Sequence, residues 1–193
     1  MTITGTKCED HIDVSCLDDM FVCDPIEGVL RWKPRPVDHY RMKIWNSRFV
    51  GKIAGRLNAK GYRQIVLKSD GVRFHTTAHR VIWAMANRAW APVHLHLDHI
   101  NGNPDDNRIV NLRLCDPRDN IKNKGMYGNN TSGFKGVSWV ERYQKWGVQI
   151  HINGGSKFGG YFDTAESAAN AYDQLARKNF GEFARTNEMM GLL

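Results

Sequence analysis

The amino-acid sequence predicts an α+β protein of two small domains, because short β-like runs and helical segments follow one another along its whole length. Its 193 residues are 41% hydrophobic, 24% charged and 10% aromatic, as in globular proteins. This length allows one domain of ordinary size and a small second one. A stretch rich in Gly and Asn at residues 125–133 is the predicted linker between them.

The N-terminal half is predicted to hold β-hairpins followed by one helix. Residues 1–16 are polar and acidic with no sustained period, which indicates a loose tail. Three β-like runs come next, at residues 28–32, 51–55 and 61–67. Apolar side chains then recur at helical spacing over residues 79–90, and Pro92 ends that helix.

Residues 94–124 predict a strand, a polar loop, a second strand and a helix, in that order. The alternating run 94–99 predicts the first strand, and the Asn-, Asp- and Gly-rich run 101–107 predicts the loop. Residues 111–115 predict the second strand. Asp116 is a good N-cap and Pro117 suits the first helical position, so a helix is expected to follow at once.

The C-terminal part is predicted to form a small three-stranded sheet packed on one helix. Its β-like runs are residues 136–140, 146–152 and 157–162. We expect the helix to begin at Asp163, with Glu166 completing a capping box. Small and aromatic side chains would share the face of this helix that lies on the sheet: Ala165, Ala168, Ala169, Tyr172 and Ala176.

Charge is distributed unevenly along the chain. The net charge is +7, yet residues 1–30 hold one Lys against seven Asp or Glu, and residues 118–157 hold seven Lys or Arg against two acids. A basic body of this kind suits a polyanionic partner, because each neutralised phosphate releases counterions. Ordinary solubility is the alternative explanation of the same composition.

The sequence also predicts where the protein works. No run approaches the roughly 18 apolar residues of a membrane span, and no basic region followed by an apolar stretch opens the chain. We therefore expect a cytoplasmic protein without membrane contact. The four cysteines form no C-x-x-C pair, so free thiols are expected at Cys8, Cys16, Cys23 and Cys115.

Asp98 and His99 are the strongest candidates for phosphodiester hydrolysis, which needs a base to activate water and a cation to neutralise developing charge. Asp98 offers a hard oxygen ligand, and His99 can accept a proton near neutral pH. Asn120 adds an amide oxygen in the first turn of the following helix, at the positive end of the helix dipole. Adjacent strand residues point to opposite faces, so Asp98 and His99 can share a site only if the strand ends or twists there.

Several motifs occur in an order and separation typical of one nuclease family. They are Asp98-His99-Ile100-Asn101-Gly102-Asn103, Asn107-Arg108, Asn111-Leu112-Arg113-Leu114 and Asp119-Asn120, with His79-Arg80-Val81-Ile82-Trp83 and Gly61-Tyr62-Arg63 upstream. Together they resemble the HNH family of ββα-metal nucleases, in particular its phage and intron homing-type branch. The likeness covers residues 17–125 and implies a ββα-metal core at about residues 94–124.

This resemblance implies a role for each residue. His99 would be the general base, and Asn111 would be the central Asn that braces the loop orienting it. Asp98 and Asn120 would bind one Mg²⁺ or Mn²⁺ per active site, stabilising the phosphorane and the leaving O3′. The phosphate backbone would be held by Arg113, Arg118, Lys122 and Lys124.

Three nearby features are open to other interpretations. His79 heads a helix and is expected to be structural. Asn107 is interpreted as a turn residue, although it competes with the central Asn for the bracing role. His94, His96 and Asp98 alternate on one strand and could form a zinc site, but no further His or Cys lies at a supporting spacing. We therefore expect no zinc.

A second resemblance covers residues 134–187. The matching residues are Phe134-Lys135-Gly136-Val137, Lys145-Trp146, Gly160-Tyr161-Phe162-Asp163-Thr164-Ala165-Glu166, Ala168-Ala169, Ala171-Tyr172-Asp173 and Asn187. They resemble the plant ethylene-response-factor (Apetala-type) DNA-binding domain, which also occurs in homing endonucleases. The resemblance implies a three-stranded antiparallel sheet that is backed by one helix and lies in the major groove.

Strand alternation would divide this sheet into a helix-facing side and a DNA-facing side. The expected helix-facing residues are Trp146, Val148, Ile150, Phe158 and Phe162. The expected DNA-facing residues are Lys135, Ser138, Lys145, Gln149, His151, Lys157 and Tyr161. Plant members carry several Arg where this chain has Ser138, Val140, Gln149 and His151. We therefore expect phosphate anchoring with modest sequence specificity.

The combined prediction is a nuclease domain at residues 17–124, the linker, and a DNA-binding domain at residues 134–193. The protein would cut double-stranded DNA as a monomer, and one centre per chain predicts a nick. An alternative is a non-catalytic DNA-binding regulator with a vestigial nuclease site. A third class is an RNA-binding or RNA-cleaving protein.

Overall fold

The structure, a computed structural model, describes residues 12–69, 71–152 and 154–193. The chain divides into two units, Met1–Cys115 and Asp116–Leu193. This division precedes the predicted linker, so the helix that follows Asp116 belongs with the C-terminal unit. Helices combined with small antiparallel sheets confirm the predicted α+β class. No helix among the described residues is long and apolar enough to cross a lipid bilayer.

The N-terminal unit is built from short antiparallel pairings around one central helix. Its helices are α1 (Ser15–Met20), α2 (Tyr40–Phe49) and α3 (Ala78–Asn87). Its strands are β1 (Phe21–Asp24), β2 (Val29–Trp32), β3 (Arg56–Leu57), β4 (Arg63–Ser69), β5 (Val72–Thr77), β6 (His96–His99) and β7 (Leu112–Cys115). β1 pairs with β2, β3-β4-β5 form a sheet, and β6 pairs with β7. A 3₁₀ turn, Ile109–Asn111, precedes β7.

The main core of this unit forms around α3. Val81 and Ile82 of this helix are fully buried, and they belong to the same cluster as Leu30 of β2 and Ile65 of β4. A smaller cluster joins Leu97 of β6 and Leu112 of β7, with Trp83 of α3 packed against it. The β6–β7 hairpin is therefore anchored on α3, and α3 positions whatever the hairpin carries.

The chain is packed from Ile12 onward. Ile12 is 3% exposed, and its carbonyl accepts a 2.7 Å hydrogen bond from the indole of Trp90. The predicted loose tail therefore does not extend to residue 16; its residues 1–11, with Cys8, lie outside the described residues. The described cysteines, Cys16, Cys23 and Cys115, are free thiols, as expected.

The segment between β2 and β3 contains a helix, α2, that the sequence patterns do not predict. The chain leaves β2 after Trp32 and returns to pair with it at residues 50–53. No residue from 31 to 53 is buried. Instead Trp45 of α2 packs edge-on against Trp32 at 5.4 Å between ring centroids, and the guanidinium of Arg35 lies 3.8 Å over the Trp45 ring. α2 is thus held by a stack of side chains instead of an apolar stripe.

The C-terminal unit is a three-stranded sheet covered on one face by a long helix, as predicted. Its helices are α4 (Pro117–Lys122) and α5 (Ala165–Phe180), and its strands are β8 (Val137–Val140), β9 (Lys145–Ile152) and β10 (Gly155–Phe162). The antiparallel order is β10-β9-β8. Short 3₁₀ segments follow β8 and α5: Glu141–Tyr143, Gly181–Phe183 and Glu188–Met190. The core joins Ala168, Tyr172 and Ala176 to Val148 and Ile150.

Both helices of this unit begin at side-chain caps. Asp116 caps α4 by accepting hydrogen bonds from the backbone N–H groups of Arg118 and Asp119, which confirms the predicted start. The cap of α5 is Thr164, whose hydroxyl accepts from the backbone N–H of Ser167 at 3.1 Å. The predicted cap at Asp163 is therefore wrong by one residue, because Thr164 has the extended backbone that a cap requires.

A β-bulge in β10 reverses the side of the sheet on which Phe158 lies. Phe158 pairs with Gln149, and the register shifts immediately afterwards. A Cβ on Gly159 would lie 2.6 Å from Leu175 Cδ1 and 2.7 Å from Val148 Cγ1, so Gly159 takes the helix-facing place. Phe158 is 56% exposed. The prediction that it faces the helix is wrong, because alternation does not persist through a bulge.

Candidate active site

Asp98 and His99 lie at the end of β6 in the β6–β7 hairpin. The strand ends at His99, and the chain turns at Ile100, which is the condition for the two adjacent groups to serve one site. Asp98 is 7% exposed and His99 is 4% exposed. The backbone N–H of Ile100 donates to the carbonyl of Asn111 at 2.9 Å, which closes the hairpin behind them.

Asn107 fixes the tautomer of His99. Its side-chain Nδ2 donates to the backbone carbonyl of Asp105 at 3.2 Å, so its Oδ1 must be the atom 3.1 Å from His99 Nε2. An amide oxygen only accepts, so Nε2 carries the proton and donates it. Nδ1 of His99 is then the nitrogen with a lone pair, which a general base needs.

Asn111 braces the loop that carries Asn107. Its Oδ1 accepts from the backbone N–H of Asn101 at 3.0 Å. Its Nδ2 donates to Asn101 Oδ1 at 3.0 Å and to the carbonyl of Asp106 at 2.8 Å. Asn111 therefore ties both ends of the loop together, whereas Asn107 contacts the imidazole itself. Asn107, interpreted from sequence as a turn residue, is 2% exposed.

Two ion pairs hold the acidic residues of this loop. Arg63 of β4 donates to both carboxylate oxygens of Asp105, at 3.0 and 2.9 Å. Arg108 donates in the same two-pronged way to Asp106, at 2.8 and 2.6 Å. Hydrogen bonds from Arg108 hold the pKa of Asp106 at about 2. The loop therefore stays anionic and fixed across the ordinary pH range.

The β1–β2 turn forms a wall behind the same loop. Gly28 has φ +69°, and a Cβ there would lie 2.3 Å from the backbone nitrogen of Arg108 and 2.5 Å from the carbonyl carbon of Asn107. The backbone N–H of Ile109 donates to the carbonyl of Pro25 at 2.8 Å. Only glycine permits this approach of the two backbones.

His79 and Tyr62 surround the imidazole of His99 with aromatic rings. The rings of His79 and His99 meet edge to face at 4.9 Å, and that of Tyr62 lies 5.6 Å from His79 and 5.9 Å from His99. Burial lowers the pKa of His79 to about 3, with smaller contributions from His99 and Arg80. His79 is therefore a neutral packing residue at the N-terminus of α3, as the sequence predicts.

The electrostatic environment of His99 favours its neutral form. Burial lowers the pKa of His99 from its usual value. The hydrogen bond to Asn107 and the negative charges of Asp98, Asp106 and Asp105 oppose that shift without reversing it. His99 is consequently unprotonated on one nitrogen near neutral pH and competent to accept a proton.

Arg113 is paired with Asp98 in the structure. The two residues are direct partners in the β6–β7 register, and Nε and Nη2 of Arg113 donate to Asp98 Oδ2 at 3.0 and 2.9 Å. Their side chains are 12% and 7% exposed. The sequence interpretation gave Arg113 a phosphate, and the cross-strand register, which could have revealed the carboxylate partner, was not used.

The remaining predicted site residues lie in the C-terminal unit. Asn120 occupies the first half of α4, where the sequence places it, and is partly buried. Lys122 pairs with Asp119 at 2.5 Å, while Arg118 and Lys124 are exposed. Because Asp98 belongs to the other unit, the shared ligation of one cation by Asp98 and Asn120 stays a prediction.

The available donors suit a hard cation. Asp98 supplies a carboxylate and Asn120 an amide oxygen, and Mg²⁺ combines a few such ligands with water and substrate phosphate. In the part of the chain that the structure describes, no three or more His, Cys, Asp or Glu side chains are grouped to hold a metal ion.

The exposed face of the C-terminal sheet carries most of the predicted DNA-facing residues. Pairing across the strands places Ser138 and Tyr161 opposite Gly147, and Gln149 opposite Phe158, on the side away from α5. Lys145 and His151 alternate onto the same side. Lys145 also pairs with Asp163 at 2.9 Å. Lys157 pairs with Ile150, so its side chain starts from the helix-facing side, because the predicted alternation does not match the strand register.

Lys135 has a structural role in this unit. Its ammonium donates to the carbonyls of Lys124 at 2.6 Å and Arg185 at 3.1 Å, and more weakly to that of Lys122 at 3.4 Å. Burial lowers the pKa of Lys135 to about 8. We conclude that Lys135 fastens the segment after α4 to the domain, instead of facing DNA as the alternation suggested.

Comparison with known proteins identifies the family. A family model described as HNH endonuclease matches residues 76–122, which contain Asp98, His99, Asn107 and Asn111. The chain is similar to Protein 3.8 of Escherichia phage T7, with 35% identity over 107 residues that make up 55% of this chain and 87% of that protein. It is also similar to an uncharacterized HNH endonuclease of Acanthamoeba polyphaga mimivirus, with 32% identity over 111 residues, 58% of this chain and 57% of that protein.

Among solved structures, one concerned with DNA binding and cleavage by the HNH homing endonuclease I-HmuI aligns with a TM-score of 0.41 and 18% identity, over 88% of this chain and 90% of that one. The argument for the family comes from the sequence matches. The family model covers the hairpin that holds the site, and the phage relative is covered over most of its length. This chain belongs to the HNH endonuclease family.

Proposed function

We propose that the protein is a metal-dependent DNA endonuclease that nicks duplex DNA with His99 as general base. The observation that supports this most directly is the hydrogen bond from His99 Nε2 to Asn107, which leaves Nδ1 as a buried basic nitrogen beside Asp98. Membership of the HNH endonuclease family supports the class of reaction. The phage relative supports a phage-encoded protein that works in the cytoplasm of its host.

In the proposed reaction, His99 Nδ1 accepts a proton from a water molecule. The water oxygen attacks phosphorus in line with the P–O3′ bond, which breaks to leave a 5′-phosphate and a 3′-hydroxyl that takes its proton from solvent. Asn107 keeps the imidazole oriented, since its Oδ1 accepts the Nε2 proton throughout. Asn111 keeps Asn107 in place by holding the loop.

Asp98 and Asn120 are the residues that would hold a Mg²⁺ or Mn²⁺ ion. Such an ion supplies positive charge where the attacked phosphate and the leaving oxygen become more negative. Arg113 stays beside Asp98, so its guanidinium adds positive charge at the same carboxylate. Arg118 and Lys124, both exposed on or after α4, are candidates for the flanking phosphates.

The C-terminal unit would hold the substrate. Its three-stranded sheet backed by α5 supports the proposal of an Apetala-type DNA-binding domain, with the exposed sheet face in the major groove. Gln149, His151 and Ser138 can each make one or two hydrogen bonds to bases or phosphates. We expect these neutral groups to give modest sequence discrimination compared with arginine forks on guanine.

The test is relaxation of supercoiled plasmid by the purified protein with Mg²⁺ or Mn²⁺, and with EDTA. His99→Ala should abolish metal-dependent nicking, and His75→Ala, at an exposed histidine of β5, should leave the rate unchanged. Nicking by His99→Ala at the wild-type rate would remove His99 from the mechanism. Linear DNA as the product of the first turnover would argue against a single cut by a monomer.

The second candidate is a non-catalytic DNA-binding protein with a vestigial site. The observation that favours it is the Asp98–Arg113 ion pair, because the arginine occupies the carboxylate that a cation would need. A wild-type protein that binds duplex DNA but relaxes no plasmid in Mg²⁺ or Mn²⁺ would establish this alternative. Stronger binding of structured RNA than of duplex DNA would instead point to an RNA substrate.

A further inference from the structure

The N-terminal unit carries a concentration of positive charge that the proposed catalytic centre does not use. From Arg31 to Arg63 the chain has ten Lys or Arg and one acid, Asp38. Within the described part of the chain, Arg63 is the member of this group that pairs with a carboxylate, that of Asp105. Cations gathered in this way repel one another, and a polyanion relieves that repulsion.

Part of this charge lies on one face of α2. Four side chains of the helix are partly covered: Met42, Trp45, Asn46 and Phe49. The other six are exposed: Tyr40, Arg41, Lys43, Ile44, Ser47 and Arg48. At 100° per residue these six fall within about 160° of the helix circumference. The outward face of α2 therefore consists of three cations, two apolar side chains and a serine, with no acid.

The covered side of α2 fixes its position. Asn46 Oδ1 accepts from the backbone N–H of Arg35 at 2.9 Å, and Asn46 Nδ2 donates to the carbonyl of Arg35 at 2.8 Å. Trp45 lies between the guanidinium of Arg35 and the edge of Trp32. Ordering this segment costs conformational entropy, and residues 31–53 bury no side chain in the core that would offset it. Such ordered, exposed segments are typical of binding elements.

The chemistry of the outward face suits duplex DNA. The major groove is wide enough for an α-helix, with phosphates on both sides for cationic side chains. Tyr40 and Ile44 are 64% and 59% exposed, and they alternate with the cations instead of forming the contiguous apolar patch that a protein partner would cover.

We propose that the outward face of α2 is a second DNA-binding surface, on which Arg41, Lys43 and Arg48 bind backbone phosphates. This inference rests on the proposed function in one respect, namely that duplex DNA is the substrate. It places substrate affinity in the N-terminal unit as well as in the C-terminal sheet.

The experiment measures binding in EDTA, where cleavage cannot occur, by fluorescence anisotropy with a labelled 40-base-pair duplex over a range of salt concentrations. The variant is Arg41→Gln/Lys43→Gln/Arg48→Gln. The control is Lys68→Gln/Arg73→Gln/Lys178→Gln, which removes three exposed cations from elsewhere. Each lost phosphate contact lowers the log–log salt slope by about 0.9, so the variant should lose about 2 to 3 of slope and roughly tenfold to a hundredfold in affinity.

Ser47→Glu provides a second variant, because one acid at the centre of the face should weaken binding several-fold without removing a cation. Thermal unfolding of each variant at the wild-type temperature confirms that the fold is kept. Wild-type affinity and slope in both α2 variants would overturn the inference, as would an equal loss in the control triple. Loss of RNA binding with duplex binding unchanged would overturn it too.

The two proposals fail separately. A wild-type protein that binds duplex DNA through α2 but never nicks would disprove the nuclease function alone. A wild-type protein that nicks, while the α2 variants bind as tightly as it does, would disprove the second surface alone.

Discussion

Asn107 Oδ1 and His99 Nε2 lie 3.1 Å apart, and both side chains are buried. Because the other end of the Asn107 amide donates to a backbone carbonyl, the orientation of the amide determines which imidazole nitrogen carries the proton. The residue that contacts the candidate base is thus Asn107, and Asn111 acts on the base only through the loop.

Asn107→Ala should lower the nicking rate about 10-fold to 100-fold, the range seen when a group that orients a reactive histidine is removed. The imidazole would lose the acceptor that holds its Nε2 proton, and both tautomers would then be populated. Single-turnover plasmid nicking measures the effect. Asn87→Ala, an exposed asparagine at the end of α3, is the matched control, and an equal rate for both variants would contradict the assigned role.

Arg113→Met should lower the free energy of unfolding by about 3 kcal/mol, because it leaves the buried carboxylate of Asp98 without its partner. The double variant Asp98→Asn/Arg113→Met should lose less, since no uncompensated charge stays buried. Urea denaturation gives both values. Arg88→Gln breaks an exposed pair with Asp18 and should cost less than about 1 kcal/mol. Equal losses at Arg88 and Arg113 would show that burial does not strengthen the dependence.

His79 should make the protein less stable as pH falls below about 6.5. In the unfolded chain His79 takes up a proton near its usual pKa, whereas burial lowers the folded pKa to about 3. Between these values the unfolded state binds more protons, so His79 contributes a loss of about 1.4 kcal/mol per pH unit as pH falls. Subtracting the profile of His79→Gln isolates this contribution, and parallel profiles for the two proteins between pH 6.5 and 4 would refute it.

Lys135→Gln should destabilise the protein by about 2 kcal/mol, since charge-assisted hydrogen bonds to backbone carbonyls are lost. Lys157→Gln removes the same charge from an exposed side chain and should change stability by no more than about 0.5 kcal/mol. Thermal unfolding compares the two. If Lys135→Gln weakened duplex binding while unfolding normally, Lys135 would face DNA after all.

The parts of the fold that follow from local chemistry were predictable. Asp116 and Pro117 signal the start of α4 because a side-chain cap and a fixed φ act within one turn. α2 was missed since its packing depends on Trp45 meeting Trp32 and Arg35, residues that are distant in sequence and leave no apolar stripe. Phe158 was placed on the wrong face because a bulge at Gly159 is set by close packing, which strand alternation cannot reveal.

The candidate site shows the same division. Asp98 and His99 could be found because their types and order match a known motif. The partners that control them could not, because each contact depends on tertiary pairing: Asp98 with Arg113 across the hairpin, and His99 with Asn107 across the loop. Polar loop residues such as Asn107 are favoured in turns for local reasons, which conceals a role that arises only after folding.

The contact between Gly28 and the backbone of Asn107 and Arg108 bears on how small this nuclease could be made. The family match begins at residue 76, so the conserved-looking stretch taken alone would omit the turn against which the loop is seated. A transplantable catalytic module therefore has to begin upstream of β1, although nothing in that hairpin takes part in the chemistry. Grafting only the HNH stretch into another scaffold would carry over the reactive groups and leave behind the support that keeps them aligned.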